Sequence, residues 1–226
     1  MRIIAYLHTS HVLIPLFTQL SKREMPEVEI FHLVDESLIK NTIREGRLTK
    51  NTIRRVLTMV ESAHDGGADA VVVTCSSIGP AASFARELFD FPVIRVDEAM
   101  AELAVRTGRR IGVAATLKTT LEPTVGLIRD KAAAVGRDVS VVESLCAGAF
   151  EAVLAGDTAT HDRILSESLT RLVEDVDVVV LAQASMARIV QTLPPKVTRT
   201  PMLSSPELAV RSARAALCPE NAPAFV

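Results

Sequence analysis

A single cysteine at the end of an apolar run is the residue of this sequence that is best suited to take part in a reaction. Residues 71–73 are three valines, and the segment TCSS follows at once, with Cys75 at its second position and a helix-like run over residues 81–88 beyond it. This pattern predicts a buried parallel strand that ends at a thiol, with a helix starting just after it. Ligands of open α/β sheets bind at the carboxyl ends of strands, and the N–H groups at a helix start can hold an anion or favour a thiolate. Cys75 is therefore the first candidate for a reactive group, although a free cysteine is commonly just a small buried hydrophobic residue.

The overall composition excludes several classes of protein. The 226 residues include 25 Lys and Arg against 27 Asp and Glu, so no basic face for nucleic acid is expected. No apolar run approaches the roughly 20 residues of a membrane helix, and the amino terminus does not resemble a signal peptide, so we expect no membrane partner. The three cysteines, Cys75, Cys146 and Cys218, are widely spaced and odd in number, which predicts neither a metal site nor disulfides and favours the reducing cytoplasm.

Strand-like and helix-like segments alternate from one end of the chain to the other. Strands are predicted at residues 2–7, 28–33, 69–74, 92–96, 110–115, 139–142, 177–182 and 202–203. Helices are predicted at residues 11–20, 48–64, 81–88, 98–106, 121–135, 150–154, 158–174, 184–193 and 206–217, whereas 36–47 and 143–149 have no assigned structure. Such alternation predicts an α/β fold with mostly parallel sheets covered on both faces.

Two pairs of segments echo each other at a separation of somewhat over a hundred residues. ADAVVVTCSSIGPAA and VDVVVLAQASMARIV share an acidic residue, an apolar run, a small polar cluster and a helix-like run. RIIAYLHTS and RRIGVAATLKTT form the second pair, in the same order. The echo predicts two similar halves, related by a pseudo-twofold axis, with the functional site in the cleft between them.

Four motifs resemble the aspartate/glutamate/hydantoin racemase superfamily over nearly the whole chain. TCSS at residues 74–77 is similar to its first-half cysteine motif, and LAQASMA at 181–187 to its second-half motif. PVIRVDEAMAELA resembles the crossover helix between the halves, and GVAATLKTTLEP the segment that opens the second half. The resemblance implies one domain from residues 1–96 plus 207–226, a second from 97–206, and catalysis without a cofactor.

Within this family the site residues would lie at the carboxyl ends of the strands. Cys75 is expected to be the acid/base thiol, with its pKa lowered by its surroundings. Hydroxyl and amide donors would bind the oxygens of a small carboxylate substrate without burying a charge. The expected substrate-binding residues are Thr9, Ser10, Thr74, Ser76, Ser77, Thr116, Thr119, Gln183 and Ser185.

One position departs from the family pattern. Gln183 lies where the second-half motif carries a second cysteine, and a carboxamide has no proton to give near neutral pH. Racemisation by two bases needs a proton carrier on each face of the α-carbon, so the second carrier is missing or replaced. His8, at the end of the first predicted strand, is the best replacement, since its ordinary pKa suits proton transfer. Cys146 is a weaker one.

Three functions remain open at this point. The first is a racemase or isomerase acting next to a carboxylate of an amino acid, hydantoin or dicarboxylate, and the second is a single-cysteine decarboxylase or cis–trans isomerase of a small diacid. The third, from another class, is a small-acid binding protein without catalysis. The resemblance also implies a homo-oligomer.

Overall fold

The computed structural model describes residues 2–217, and within that range the chain divides into two compact units. The first unit contains residues 2–97 with 206–217, and the second contains residues 98–205. Cys218 lies outside the described residues. Each unit is an α/β structure built on one four-stranded parallel sheet, as the alternation of segments predicts.

The first unit is built on a parallel sheet of four strands. Its strands are β1 (Ile3–His8), β2 (Glu29–Val34), β3 (Ala70–Val73) and β4 (Val93–Arg95), which lie in the order β2-β1-β3-β4 and are all parallel. Its first four helices are α1 (Ile14–Glu24), α2 (Glu36–Glu45), α3 (Lys50–Asp65) and α4 (Pro80–Leu88).

Both faces of this sheet are buried. Alternate residues of β1 point to opposite faces, so Ile4 and Tyr6 join one apolar cluster while Ala5 and Leu7 join the other. Helices cover both faces, which is why these strands are continuous apolar runs rather than alternating ones.

The second unit repeats the same strand order. Its strands are β5 (Arg110–Ala115), β6 (Ser140–Leu145), β7 (Val178–Leu181) and β8 (Met202–Ser204), ordered β6-β5-β7-β8 and all parallel. Its helices are α5 (Glu98–Thr107), α6 (Lys118–Ala134), α7 (Ala149–Leu154) and α8 (Thr158–Leu172). The helix α9 (Ser205–Leu217) then closes the described chain, and its Ala209, Val210 and Ala213 pack into the core of the first unit.

Small residues set how closely helices approach the second sheet. A Cβ atom added to Gly112 of β5 would lie 2.9 Å from Cγ of Leu172 in α8. The glycine in the strand IGVAA therefore lets α8 pack directly on the sheet backbone.

The echo in the sequence falls on equivalent strands. The acidic residue that opens each echo, Asp69 or Asp177, accepts a backbone N–H from the start of the neighbouring central strand, at Ile3 and at Arg110 respectively. These hydrogen bonds are the largest cause of the lowered pKa of both carboxyl groups. The repeated acidic residue thus anchors β3 to β1 and β7 to β5 at the amino edge of each sheet.

Two segments differ from the sequence prediction. Residues 36–47, which had no assigned structure, contain α2, where Asp35 accepts the Ser37 N–H at the start and Gly46 ends the helix in the left-handed conformation. The predicted helix at 184–193 is instead a 3-10 helix, Ala184–Thr192. Its buried residues, Met186 and Ile189, are three apart, a spacing that fits three residues per turn.

Candidate functional site

Cys75 lies at the junction between β3 and the helix that follows. Thr74 still pairs with β1, because its N–H donates to the Leu7 carbonyl at 3.0 Å. Cys75 itself is extended, with φ −127° and ψ 118°, and a 3-10 turn over Ser76–Ile78 leads to Pro80 at the start of α4. The structure therefore has the strand, thiol and helix start in the order that the sequence predicts.

Four donors surround the Cys75 sulfur. The hydroxyls of Thr9, which follows β1, and of Ser77 hydrogen-bond to the thiol, and so do the backbone N–H groups of Ser77 and Ile78. Cys75 as a residue is nevertheless partly exposed. We call Thr9, Cys75 and the turn Ser76–Ile78 the Cys75 cluster.

Burial and hydrogen bonding act on Cys75 in opposite directions. Desolvation raises the pKa of the thiol, and the donors from Thr9, Ser77 and Ile78 lower it by less. The net pKa is above the ordinary value, so the expectation that the surroundings lower it is wrong for the protein without substrate. Cys75 is accordingly a protonated thiol at neutral pH, with donors already placed for the thiolate that forms when the proton leaves.

The three candidate serines of the first unit, Ser10, Ser76 and Ser77, lie in two different turns. Ser76 and Ser77 are buried in the turn beside the sulfur. Ser10 is half-buried and precedes a separate 3-10 turn, His11–Leu13, where its carbonyl accepts the Leu13 N–H. The structure thus brings Ser76, Ser77 and Thr9 to the thiol but gives Ser10 no contact with it.

His8 belongs to a directed chain of hydrogen bonds. The Thr74 hydroxyl donates to the Leu7 carbonyl at 2.9 Å, so it accepts from Nδ1 of His8 at 2.8 Å. Nε2 of His8 is then an acceptor and takes the Nδ1 proton of His32 at 2.9 Å, while the Thr18 hydroxyl donates to Nε2 of His32 at 3.0 Å. Both rings are neutral Nδ1–H tautomers in this arrangement.

Electrostatics favour the same neutral state. His8 is fully buried, and desolvation, with the His32 ring as a second cause, lowers its pKa to about 4. Desolvation also lowers the pKa of His32. Both nitrogens of His8 are engaged with Thr74 and His32, so no free nitrogen of its ring points at Cys75.

Gln183 lies at the equivalent junction of the second unit. Its backbone is extended, with φ −132° and ψ 136°, and it follows β7 directly before the 3-10 helix. Its Oε1 accepts the Thr116 N–H at 2.6 Å and the Thr116 hydroxyl at 2.9 Å. Thr116 follows β5 as Thr9 follows β1, so each central strand ends in a threonine that contacts the junction residue of its neighbour.

These two bonds determine which way the carboxamide faces. A backbone N–H needs an acceptor, so the oxygen of Gln183 must face Thr116 and the NH₂ group must face away. Within residues 2–217 that NH₂ group has no hydrogen-bond acceptor. Gln183 therefore presents two donors and no acceptor.

Thr119 lies three residues after Thr116 and has an unsatisfied group. Its Oγ1 is buried and has no hydrogen-bond partner among the described residues, in the first turn of α6. A buried polar atom without a partner is uncommon in native proteins, so this hydroxyl is available to a ligand or to water. We call Thr116, Thr119 and Gln183 the Gln183 cluster; Ser185 is exposed on the 3-10 helix and makes no hydrogen bond to it.

Cys146 is part of the core rather than of either cluster. It is 1% exposed and packs among Ala149, Leu165 and Leu169, while burial raises the pKa of its thiol. This environment is typical of a structural cysteine.

Two polar groups were not predicted from the sequence. A buried ion pair joins Arg95 and Asp97 at the carboxyl end of β4. In the second unit, the buried His161 and its neighbour Asp162 contact Arg188 of the 3-10 helix. An arginine at the end of an otherwise apolar predicted strand was the available signal for the first group, whereas nothing local indicated the second.

Two features, a membrane-spanning helix and a metal-binding group, are absent from the described residues. None of the helices within 2–217 combines the length and apolarity needed to cross a bilayer. Over the same residues, no three or more His, Cys, Asp or Glu side chains form a group suited to a metal ion.

Comparison with known proteins places this chain among racemases. Residues 5–213 match the family profile described as Asp/Glu/Hydantoin racemase. A glutamate racemase from Persephonella marina is 38% identical over 101 residues, which is 43% of this chain and 38% of that protein. The matched region thus spans well under half the length of this curated relative.

Two solved structures share the fold at low sequence identity. Allantoin racemase from Klebsiella pneumoniae has a TM-score of 0.71 at 19% identity, over 98% of this chain and 90% of that chain. Glutamate racemase from Francisella tularensis, solved in complex with D-glutamate, has a TM-score of 0.74 at 17% identity, over 100% of this chain and 84% of that chain. These likenesses establish the α/β fold.

Proposed function

The chain belongs to the Asp/Glu/hydantoin racemase family, and from that premise we propose that it acts at the carbon next to a carboxylate of a small amino acid, hydantoin or dicarboxylate. Cys75 is the acid/base thiol of this proposal. The observation that carries it is a partly exposed cysteine at a strand-to-helix junction, whose thiol receives hydrogen bonds from the hydroxyls of Thr9 and Ser77 and from two backbone N–H groups.

The donors of the Gln183 cluster support an anionic or carbonyl-bearing substrate. The NH₂ group of Gln183 and the unpartnered hydroxyl of Thr119 both need an acceptor, and a carboxylate oxygen supplies one. Neutral donors bind such a group without leaving a buried cation when the site is empty. The glutamate racemase structure contains D-glutamate, a small carboxylate of this kind.

The thiol is the proton carrier in the proposed reaction. As base, the Cys75 thiolate takes the α-proton, and the electron pair moves into the carboxylate to give an enediolate-like intermediate. For inversion, a proton from substrate or water reaches the opposite face of that carbon, and Cys75 then passes its own proton to water and becomes the thiolate again. The N–H groups of Ser77 and Ile78 stabilise the thiolate at each turnover.

His8 is proposed to position Thr74 rather than to carry protons. Its pKa of about 4 and its two engaged nitrogens keep it neutral at physiological pH. With Gln183 unable to donate a proton as an acid, Cys75 is then the one proton carrier that we assign, and a second must come from substrate or water.

That asymmetry supports a second candidate, a decarboxylase or cis–trans isomerase of a small diacid. In decarboxylation the C–C bond to one carboxylate breaks, carbon dioxide leaves, and the electron pair stays on the α-carbon. Cys75, protonated at rest because burial raises its pKa, then delivers the single proton required. The other candidate class, a binding protein without catalysis, would keep the donors but show no turnover.

Isotope exchange separates the three candidates. Small amino acids, hydantoins and dicarboxylates are first screened by thermal shift, since a ligand at a hundred times its Kd adds about 2.7 kcal/mol of stability. Stabilising compounds are then incubated with protein in heavy water. Racemisation gives α-deuterium with loss of optical rotation, decarboxylation gives carbon dioxide, cis–trans isomerisation gives the other geometric isomer by NMR, and binding alone gives none of these.

A cytoplasmic location is part of the proposal. The proposed reaction needs Cys75 as a thiol, and a reducing compartment keeps thiols reduced.

A further inference from the structure

A buried ion pair lies beside Gly79, the residue that follows the Cys75 cluster in the chain. Nε of Arg95 donates to Oδ1 of Asp97 at 3.1 Å, and Nη2 donates to Oδ2 at 3.0 Å. The side chains are 7% and 0% exposed. Burying two charges carries a large desolvation penalty that their attraction does not reliably repay, so stability alone is a weak reason for this pair.

The guanidinium of Arg95 lies against the backbone of Gly79. A Cβ atom added to Gly79 would be 2.9 Å from Nε and 3.1 Å from Nη2 of Arg95. Gly79 has φ −51° and ψ −40°, which any residue can adopt, so glycine is needed here for space and not for backbone conformation. The contact is therefore between a planar cation and a bare stretch of backbone.

Gly79 ends the turn that serves the thiol. Its N–H donates to the Ser76 carbonyl at 3.1 Å, and the Ile78 N–H contacts both the Cys75 carbonyl, at 3.2 Å, and the sulfur. On the other side, the Val96 N–H donates to the Val73 carbonyl at 3.0 Å, which holds the strand carrying Arg95 against β3. Arg95 thus lies between a rigid strand and the turn.

We infer that Arg95 and Asp97 are positioning residues for Cys75: Asp97 orients the guanidinium flat against Gly79, and this contact holds the turn so that the Ser77 and Ile78 N–H groups point at the sulfur. The importance of this role rests on the proposed function of Cys75. Arg95 acts by shape and placement, because Asp97 neutralises its charge and four other donors already contact the thiol.

The test measures the thiol directly. The double variant Arg95→Met/Asp97→Asn removes both charges at similar volume and leaves neither unpaired. The rate of iodoacetamide reaction at Cys75 is followed against pH by mass spectrometry of the peptide that contains it. We expect the midpoint of that profile to rise by about one pH unit, a tenfold loss of rate below the midpoint.

A salt-bridged lysine of the second unit is the control. Nζ of Lys131 contacts Glu98 at 2.6 Å and Glu102 at 2.8 Å. Lys131→Met should lower the free energy of unfolding but leave the Cys75 profile unchanged. An unchanged Cys75 profile in folded Arg95→Met/Asp97→Asn would overturn the inference. If that variant does not fold, Arg95→Lys is measured instead. We expect the midpoint of its Cys75 profile to rise by a smaller amount, and an unchanged midpoint would overturn the inference.

A double-mutant cycle tests the Gly79 contact itself. Gly79→Ala should slow the reaction of Cys75 about as much as loss of the ion pair, since the added methyl displaces the guanidinium or the turn. In the Arg95→Met/Asp97→Asn background the flexible methionine can yield, so Gly79→Ala should then add little. Fully additive effects would contradict a shared mechanism.

Different combinations of results would reject the positioning role of Arg95 and Asp97 and the proposed function of Cys75. Retained turnover in Cys75→Ser, together with a shifted alkylation profile in the ion-pair variant, rejects the role of the thiol but keeps the positioning. The reverse pair of results rejects the positioning alone.

Discussion

The two units have the same strand order but different functional groups at the equivalent strand-to-helix junctions. In each, the central strand ends in a threonine, Thr9 or Thr116, that hydrogen-bonds to the junction residue of the neighbouring strand, Cys75 or Gln183. The junction residues share an extended conformation and each precedes a 3-10 segment. One position presents a titratable thiol with donors directed at it, whereas the other presents an amide that only donates.

The difference shows that topology determines where the chemistry lies and single residues determine what it is. Two thiols at these positions would offer two proton carriers. A thiol can carry a proton, whereas an amide can only bind an acceptor group, so each unit by itself has a different chemical capacity.

The largest expected effect comes from removing the thiol. Cys75→Ser should reduce turnover of an identified substrate by about 10³-fold or more, because a serine hydroxyl is a far poorer acid/base at neutral pH. Steady-state kinetics in heavy and light water measure this. The matched control, Cys146→Ser, removes the core thiol and should leave kcat within a few-fold; unaltered turnover in Cys75→Ser would end the proposal.

A second effect distinguishes His8 from Ala115, the residue at the same register of the second sheet. The pKa of His8 falls from 6.5 unfolded to about 4 folded, so the unfolded chain binds more protons between these values. Stability is therefore complete above pH 6.5 and decreases as pH falls towards 4, by about 3 kcal/mol from this group.

Denaturant unfolding at a series of pH values checks the histidine. His8→Asn retains a donor for Thr74 but cannot titrate, so its stability should fall less steeply between pH 6.5 and 4 than that of the parent protein. Equal slopes for the two proteins would show that His8 does not titrate as its burial implies.

Gln183→Glu sharpens the contrast between the clusters. A carboxylate can still accept both hydrogen bonds from Thr116, but it presents an acceptor where the amide presented donors. We expect KM for a carboxylate substrate to rise about 10- to 100-fold with a smaller change in kcat, as one charge-assisted hydrogen bond is lost. Gln183→Met is the control without repulsion, and an equal KM for parent and Gln183→Glu would remove Gln183 from the site.

The smallest effect compares the two threonines. Thr9→Val removes one donor from the Cys75 sulfur and should raise the pKa of that thiol further, slowing its alkylation about three- to tenfold at neutral pH. Thr116→Val should leave that rate unchanged and should raise KM slightly instead, because it removes one of the two hydrogen bonds that orient the Gln183 amide and keeps the one from the Thr116 N–H. Identical responses from both variants would mean that the clusters are not independent.

Local pattern was sufficient for most of the fold. Every predicted strand exists, because buried β-branched runs have few alternatives to a parallel sheet. The segment 36–45 was missed because it is short and contains three apolar residues, Leu38, Ile39 and Ile43, so its helical spacing rests on few positions.

The positions of the candidate residues were predictable, and their electrostatics less so. Cys75, Thr9 and Gln183 follow strand ends, as the sequence predicts, and the structure gives each a hydrogen-bond partner there. The direction of the Cys75 pKa was not predictable, since it depends on the balance between burial and four donors, and desolvation is a property of the packed surroundings.

The sequence by itself determined the order of elements, the repeated strand plan and the identity of the group at each strand end, because these depend on residues close together in the chain. The tertiary structure alone decided the neutral tautomers of His8 and His32, the orientation of the Gln183 amide and the contact of Arg95 with Gly79. Each of these joins groups that are distant in sequence or held by a neighbouring strand, and the energy of a buried polar group depends on partners that only packing brings within about 3 Å.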